Sequence, residues 1–509
     1  MKKILIIASI LILIVHFSLQ SQENISENVK IQSGWILGKQ IEKTNVFAFK
    51  GIPFATPPVG DLRWKAPQPI KPWESVLECI KQPASAMQNK PAPFMCWSVE
   101  FLAPVEPISE DCLYLNVWTP AKKNSDKLPV IVWIHGGAFT GGSGTVPLYD
   151  GEEISKKGCV FVTINYRLGI FGFYTHPELS TESDDKVSGN YGILDQIAAL
   201  QWVKQNIKAF GGNPENVTIA GQSAGSFSVN ALMVSPKAKG LFHRAIAQSG
   251  GMFKKGFGAI QNFKDAEASG LSIAEKAGAN SIADLRAKSA TDLMSIQGRW
   301  GLVLDNIVLP PVYETFEDGK QNDVPLLTGW NADDGVMFGP AQNAETYKAE
   351  SKKKYSEQAA EILKLFPAQT DEEAKSSQKL LSQLGFGWQN FSWARMQTKT
   401  GKGKVWLYYF SQIPPGEPNY GAFHSAEFAY ALKTLKYWNR PFTKSDYELE
   451  DIMSSYWVNF AKTGNPNAKD LPKWPQFDTK AYQIIELGNQ VKSKKVPNFE
   501  QLIFLDKLN

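Results

Sequence analysis

Hydrophobic positions along the chain fall into two alternating patterns. Leu128 to Ile134 (LPVIVWI) and Val160 to Asn165 are short, nearly continuous apolar runs, which predict strands buried on both faces. Between Asn190 and Gly211, the residues Ile193, Ile197, Leu200, Val203, Ile207 and Phe210 recur at spacings of three and four. That spacing predicts an amphipathic helix, closed by Gly211 and Gly212. Asn216 to Ala220 (NVTIA) reads as another strand, and SAGSFSVNALMV after it as a helix. Further strands are expected at Arg244 to Gln248, Pro325 to Gly329 and Val405 to Phe410. Strands alternating with helices predict an α/β fold: a large, mostly parallel central sheet flanked by helices, with ligands beyond the carboxyl ends of the strands. Lys254 to Gln297 and Ala341 to Gln397 break the alternation. They read as helical insertions near the mouth of a site, or as surface helices with no gating role.

The first residues follow a different rule. MKKILIIASILILIVHFSLQSQ places two lysines before an apolar or small run from Ile4 to Val15, then small and polar residues. This is the layout of a secretory signal peptide over residues 1–22, and the run is short for a membrane span, which needs roughly 20 residues. The expectation is a secreted or periplasmic protein with no stable span after cleavage; an uncleaved anchor is the alternative. By length alone residues 23–509 would allow about three domains; a single domain is expected, because the motifs spread from residue 49 to 467 require nearly all of them. Charge adds an exclusion. Lys and Arg number 54 against 50 Asp and Glu, a net +4 that falls to +2 once Lys2 and Lys3 leave with the leader. That balance does not fit a partner bound through phosphate attraction, so no nucleic acid is expected. Of the four cysteines, Cys159 lies in a predicted core strand and reads as a free thiol. Cys96 and Cys112 flank a loop rich in proline and aromatics and are the preferred pair, with Cys79 left over.

The chemistry gathers around Gly221-Gln222-Ser223-Ala224-Gly225, which joins the strand NVTIA to a helix. A strand-to-helix turn this tight strains the serine and requires small residues two before and two after it. Ser223 would then stand at a helix N-terminus, whose free N–H groups favour developing negative charge. A serine hydroxyl needs a base, and only five histidines are available. His16 leaves with the leader, His135 begins a glycine loop, His176 precedes Pro177 in a turn, and His243 opens a core strand. His424, late in the chain in YGAFHSAEFAY, is left as the base. A carboxylate must fix its tautomer, and in chain order Ser, acid, His the strand VPLLTGW ends in Asp333 and Asp334. Either fits. His135-Gly136-Gly137-Ala138 follows a strand and reads as an oxyanion loop, with the amides of Gly136, Gly137 and Ala224 as donors.

These motifs together resemble the type-B carboxylesterases, the cholinesterase-like branch of the α/β-hydrolases. The resemblance runs from FKGIPFATPPVGDLRW (49 to 64) through SEDCLYLNVWTP, WIHGGAFTGGSG, NYRLGIFGF, GQSAGS, TGWNADDGVMF and GAFHSAEFAYAL to YWVNFAKTGNPN (456 to 467). It implies the α/β-hydrolase fold, a serine carboxylesterase activity on small-molecule esters, and no cofactor or metal. It maps the triad onto Ser223, Asp334 and His424, choosing Asp334 over Asp333. Three departures stand out. Asp334 takes a place where the family usually has Glu. Gln222 replaces the Glu usual before the nucleophile, which weakens attraction for cationic substrates. The family's disulfide partner for the cysteine of EDCLYLN is missing, Ala86 standing there, so the resemblance leaves Cys96 as a substitute partner for Cys112. A cholinesterase is not expected, because Leu102 occupies the place of the choline-site tryptophan. The different-class alternative is a non-catalytic binding or adhesion protein on the same fold. Within the esterases, the aromatics Phe94, Trp97 and Phe101 fit specialisation for aryl or feruloyl esters, with acetylated glycans a further option.

Overall fold

The structure, a computed structural model, describes residues 23–253, 260–335 and 341–508. The expected leader over residues 1–22 lies outside the described residues. Eleven strands form one sheet. They are β1 (Lys39–Gln40), β2 (Phe47–Pro53), β3 (Tyr114–Thr119), β4 (Leu128–Ile134), β5 (Val160–Ile164) and β6 (Gly212–Gln222). The remainder are β7 (Arg244–Gln248), β8 (Leu326–Asn331), β9 (Val405–Phe410), β10 (Gln483–Leu487) and β11 (Lys492–Lys495). The order across the sheet is β11-β10-β9-β8-β7-β6-β4-β5-β3-β2-β1. From β5 through to β10 the strands run parallel, and antiparallel strands close both edges. The predicted bounds of β4, β7 and β9 coincide with those observed. β6 starts earlier than NVTIA, because Gly212 already pairs with Leu128 across an irregularity in the ladder.

Side chains of the central strands alternate between two packed layers. Val130, Val132 and Ile134 of β4 join one core cluster, and Ile131 and Trp133 join the other. Helix α1 (Tyr191–Asn206) and helix α2 (Ala224–Val234) cover the first face through Ile193, Leu200, Val229 and Leu232. Helix α6 (Ala426–Ala431) and helix α7 (Lys444–Thr463) cover the second through Phe428, Met453 and Trp457. The predicted Asn190–Gly211 helix is α-helical to Asn206 and tightens into a 3₁₀ turn, which Gly211 ends at φ +75°. Both apolar faces of the sheet are therefore buried, which its near-continuous hydrophobic strands require.

The two helical stretches part company. Helices α4 (Ala344–Tyr355) and α5 (Asp371–Thr400) border the large cavity at the carboxyl edge of the sheet. Helix α3 (Phe263–Lys276) instead packs Ile273 and Ala274 with Trp64, Tyr174 and Leu285. None of the described residues of 254–297 lines the cavity, so among the described residues it is the second stretch that stands at its mouth. The expected Cys96–Cys112 bridge is also absent: all four cysteines are free and buried. Cys96 packs with the cluster on one face of the sheet and Cys112 with the cluster on the other. Burial pushes the thiols of Cys79, Cys96 and Cys159 up to about 12, so they stay protonated and inert. Among the described residues no helix is long and apolar enough to cross a membrane.

A buried ion pair ties the loop after β5 to α1. Arg167 Nε and Nη2 donate to the Asp195 carboxylate at 2.8 and 2.7 Å, and the Arg167 amide adds a third bond at 3.0 Å. Arg167 Nη1 donates to the Lys65 carbonyl. Truncating Asp195 strands a guanidinium in the core. Asp195→Ala is expected to lose about 3–5 kcal/mol, seen as a lower denaturant midpoint, and Arg167→Met with Asp195→Leu to recover much of it.

Candidate active site

The sheet order reverses between β4 and β6, since β4 leads on to β5 on one side and meets β6 on the other. Ligands collect at such a switch point, beyond the carboxyl ends. β4 ends at Ile134 and β6 at Gln222, with Ile134 paired to Gly221, so the residues after both strands meet. Ser223 follows β6 at φ 56°, ψ −123°, a conformation that costs a non-glycine residue on the order of 1–3 kcal/mol. Two backbone bonds hold it: Ser223 donates its amide to the Gln248 carbonyl at 2.9 Å, and its own carbonyl accepts from Phe227 at 3.0 Å. The glycines around it answer to space. A Cβ on Gly225 would lie 2.0 Å from the Ile134 carbonyl oxygen, and one on Gly221 2.5 Å from the Gly225 carbonyl carbon.

The glycine loop after β4 presses on this turn. A Cβ on Gly136 would sit 2.7 Å from the Gln222 carbonyl and 3.2 Å from Ser223 Cβ, so the Gly136 backbone lies against the serine. Gly137 is at φ +113° and its carbonyl accepts from the amides of Thr140 and Gly141. Gln88 clamps the loop, accepting from Gly142 N at 2.9 Å and donating to Gly142 O at 2.8 Å. Ala224 opens α2, so its amide has no acceptor within the helix. Gly136, Gly137 and Ser223 all face one cavity.

His424 reaches the same cavity from the loop before α6. Its Nδ1 donates to Asp334 Oδ1 at 2.5 Å, and Asp334 Oδ2 accepts from the Asn331 amide at 3.0 Å. Asp334 is fully buried and His424 nearly so. The neighbouring carboxylate has another task. Asp333 accepts from Ala422 N at 2.9 Å and Gln383 Nε2 at 3.1 Å, and pairs with Lys379 Nζ at 2.9 Å. It anchors the loop that carries His424, while Asp334 touches the ring. Phe386 from α5 stacks on His424 with centroids 4.5 Å apart, and the Trp97 ring meets it edge-on at 6.3 Å. The other described histidines lie elsewhere. His135 stacks on Tyr166 and burial drives its pKa down to about 4. His176 caps a helix by accepting from Glu178 N, and His243 Nδ1 accepts from Val217 N.

One residue escaped sequence reasoning. Glu427 is fully buried in α6, three residues after His424, and bonds to Asn331 Nδ2 at 2.6 Å and Gln248 Nε2 at 3.1 Å. Burial, then the charge of Asp334, raises its pKa to about 7. A lone acid in the otherwise apolar AEFAYA was the signal available. Asn331 bridges both carboxylates, its amide on Asp334 and its side chain on Glu427.

The cavity measures about 1320 Å³, with Phe94, Trp97, Phe101, Phe386 and Trp388 in its wall. It is roomier than most small-molecule sites. Among the described residues no group of three or more His, Cys, Asp or Glu gathers as a metal would need. A nucleophile-like serine, a carboxylate-bound histidine and a glycine loop open on one space. Such a set is suited to acyl transfer.

Comparison with known proteins agrees. The chain is 35% identical over 490 residues to a fumonisin B1 esterase of Sphingopyxis macrogoltabida, covering 91% of this chain and 86% of that protein. It is 34% identical to the para-nitrobenzyl esterase of Bacillus subtilis (strain 168), covering 91% and 95%. To the human cocaine esterase it is 33% identical, covering 92% and 89%. A solved PNB esterase structure superposes with a TM-score of 0.80 at 31% identity, over 93% of this chain and 98% of that one. The sequence model of the carboxylesterase family matches residues 25–504, and the chain belongs to that family.

Proposed function

We propose that this carboxylesterase works through an acyl-enzyme on Ser223, with His424 as general base and acid and Asp334 as its orienting carboxylate. The observation that carries the reading is the 2.5 Å bond between buried Asp334 and His424, the histidine lining the cavity that Ser223 also faces. Ser223 Oγ attacks the ester carbonyl carbon as its proton passes to His424 Nε2. The carbonyl oxygen becomes an oxyanion held by the amides of Gly136, Gly137 and Ala224, each such donor typically giving about 3–4 kcal/mol of transition-state stabilisation. His424 returns the proton to the alkoxide and the alcohol departs. Water then attacks the acyl group, its proton passes through His424 to Ser223 Oγ, and the acid is released.

The aromatic wall supports an ester with a large apolar or aryl portion, and the name of the para-nitrobenzyl esterase points the same way. Acetylated glycans fit less well with such a wall. One catalytic domain over residues 23–509 is supported by a sheet whose strands span residues 39–495. Export is supported by the leader-like pattern of residues 1–22.

Ser223→Ala is expected to abolish hydrolysis of a short-chain nitrophenyl ester, by at least about 10³-fold in kcat. Activity near the wild-type level would refute the assignment. The two aspartates separate in the same assay: Asp334→Asn is expected to cost roughly 10⁴-fold, because the wrong histidine tautomer results, and Asp333→Asn far less.

A further inference from the structure

A chain of hydrogen bonds runs from the aromatic loop at the cavity wall to the ring of His424. Trp97 Nε1 lies 3.2 Å from Ser425 Oγ, Ser425 Oγ 3.1 Å from Gln222 Oε1, and Gln222 Nε2 3.2 Å from His424 Nε2. Its direction follows atom by atom. An indole N–H can only donate, so the Ser425 oxygen accepts from Trp97, and the Ser425 hydroxyl in turn donates to Gln222 Oε1. Only the amide oxygen can accept that proton, which aims the amide nitrogen at His424. The amide nitrogen donates and does not accept, so the ring nitrogen it meets must carry a lone pair. The imidazole proton then belongs on Nδ1, where Asp334 accepts it.

The members of this chain are held in place. Gln222, His424 and Ser425 are buried, and Ser425 is kept at φ +84°, ψ −7°, in the left-handed region that a residue with a Cβ seldom occupies. Gly136 packs on Gln222 so closely that a Cβ there would lie 2.7 Å from its carbonyl oxygen and 3.5 Å from Oε1.

We propose that Trp97, Ser425 and Gln222 form a polarised relay that keeps His424 Nε2 unprotonated in the resting enzyme, with Gln222 as the positioning residue. The proposal rests on the reading of His424 as the general base. Once Nε2 takes a proton, two N–H groups oppose each other across the Gln222 contact. The imidazolium is thereby disfavoured, and the proton is urged on to the leaving oxygen. The relay itself makes and breaks no covalent bond.

Other titratable groups crowd the opposite side of the pair. Asp334 faces Nδ1, and Asp333 beside it is engaged by Lys379. Glu427 from α6 lies behind Asp334. Tyr408 and Tyr409 of β9 and the Cys96 thiol feel the Asp334 charge, and Arg440 acts on Cys96. Tyr149, near Glu427, is also in the cavity wall. Phe386 and Trp97 pack on the ring without charge.

The test is the acid limb of the kcat/KM profile for a neutral nitrophenyl ester, read in Gln222→Glu and Trp97→Phe. A glutamate there accepts from a protonated Nε2 and stabilises the imidazolium. The limb of Gln222→Glu is therefore expected to move up by about 1–3 pH units, with the alkaline plateau retained within a few-fold. Removing the indole donor frees the Ser425 hydroxyl and the amide to turn over, so Trp97→Phe should shift the limb the same way by a smaller amount. An unshifted limb in either variant, whatever its plateau, overturns the relay. Should Gln222→Glu fail to fold, Ser425→Ala is read by the same criterion. Retained activity in Ser223→Ala, or a wild-type profile with no acid limb, would instead remove the catalytic assignment on which the relay rests.

Discussion

The carboxyl ends of two neighbouring parallel strands meet here with no room for a side chain between them. The Ile134 carbonyl occupies the space a Cβ on Gly225 would need, and the Gln222 carbonyl fills that of a Cβ on Gly136. This close approach makes the other features of the site possible. It allows the first turn of α2 to start directly over the end of β6, and it forces Ser223 into a strained conformation that points its hydroxyl at the cavity. The glycine loop is brought against the serine by the same contact. A sheet supported on both faces by dense apolar layers can hold that strain, because relaxing it would require moving two strands at once.

Behind the serine the structure manages a second problem, the burial of charge. Asp334 and Glu427 lie in one dry region, and Asn331 serves both. Gln248 joins them to the scaffold, donating to Glu427 and accepting from Trp457 Nε1 at 3.0 Å. Two carboxyls so close do not both ionise freely, and it is Glu427 that is raised while Asp334 has the histidine as its partner. Uncharged groups complete the surroundings of His424: Gln222 at one ring nitrogen, Phe386 on its face and Trp97 at its edge.

Much of this architecture is written in local patterns. β4 and β9 show as unbroken apolar runs because both their faces are covered, and the glycines of GQSAG and HGGA mark places where backbone must touch backbone. What escaped depends on distant parts of the chain. Gln222 and His424 are 202 positions apart, and Glu427 and Gln248 are 179 apart, so neither contact leaves a trace in spacing. The cysteines misled for a similar reason: Cys96 and Cys112 flank one loop, but the sheet separates the layers into which they pack. Local pattern left Asp333 and Asp334 both open, and the family resemblance chose Asp334; which way two adjacent side chains of one type point leaves no mark in the pattern itself.

The cavity wall has a different origin from the chemistry it encloses. Phe94, Trp97 and Phe101 come from the loop before β3, Phe386 and Trp388 from α5, and Leu505 from α8 (Phe499–Lys507). Of these, Trp97 and Phe386 touch the His424 ring; the rest stand on segments away from the ends of β4, β6 and β8. Substitutions at wall positions other than Trp97 and Phe386 can reshape what the enzyme admits while leaving the ends of β4 and β6 in place. Over evolutionary time the substrate range of such a chain can drift by inheritance of wall variants alone, while the reaction stays fixed by two strands that cannot be moved apart.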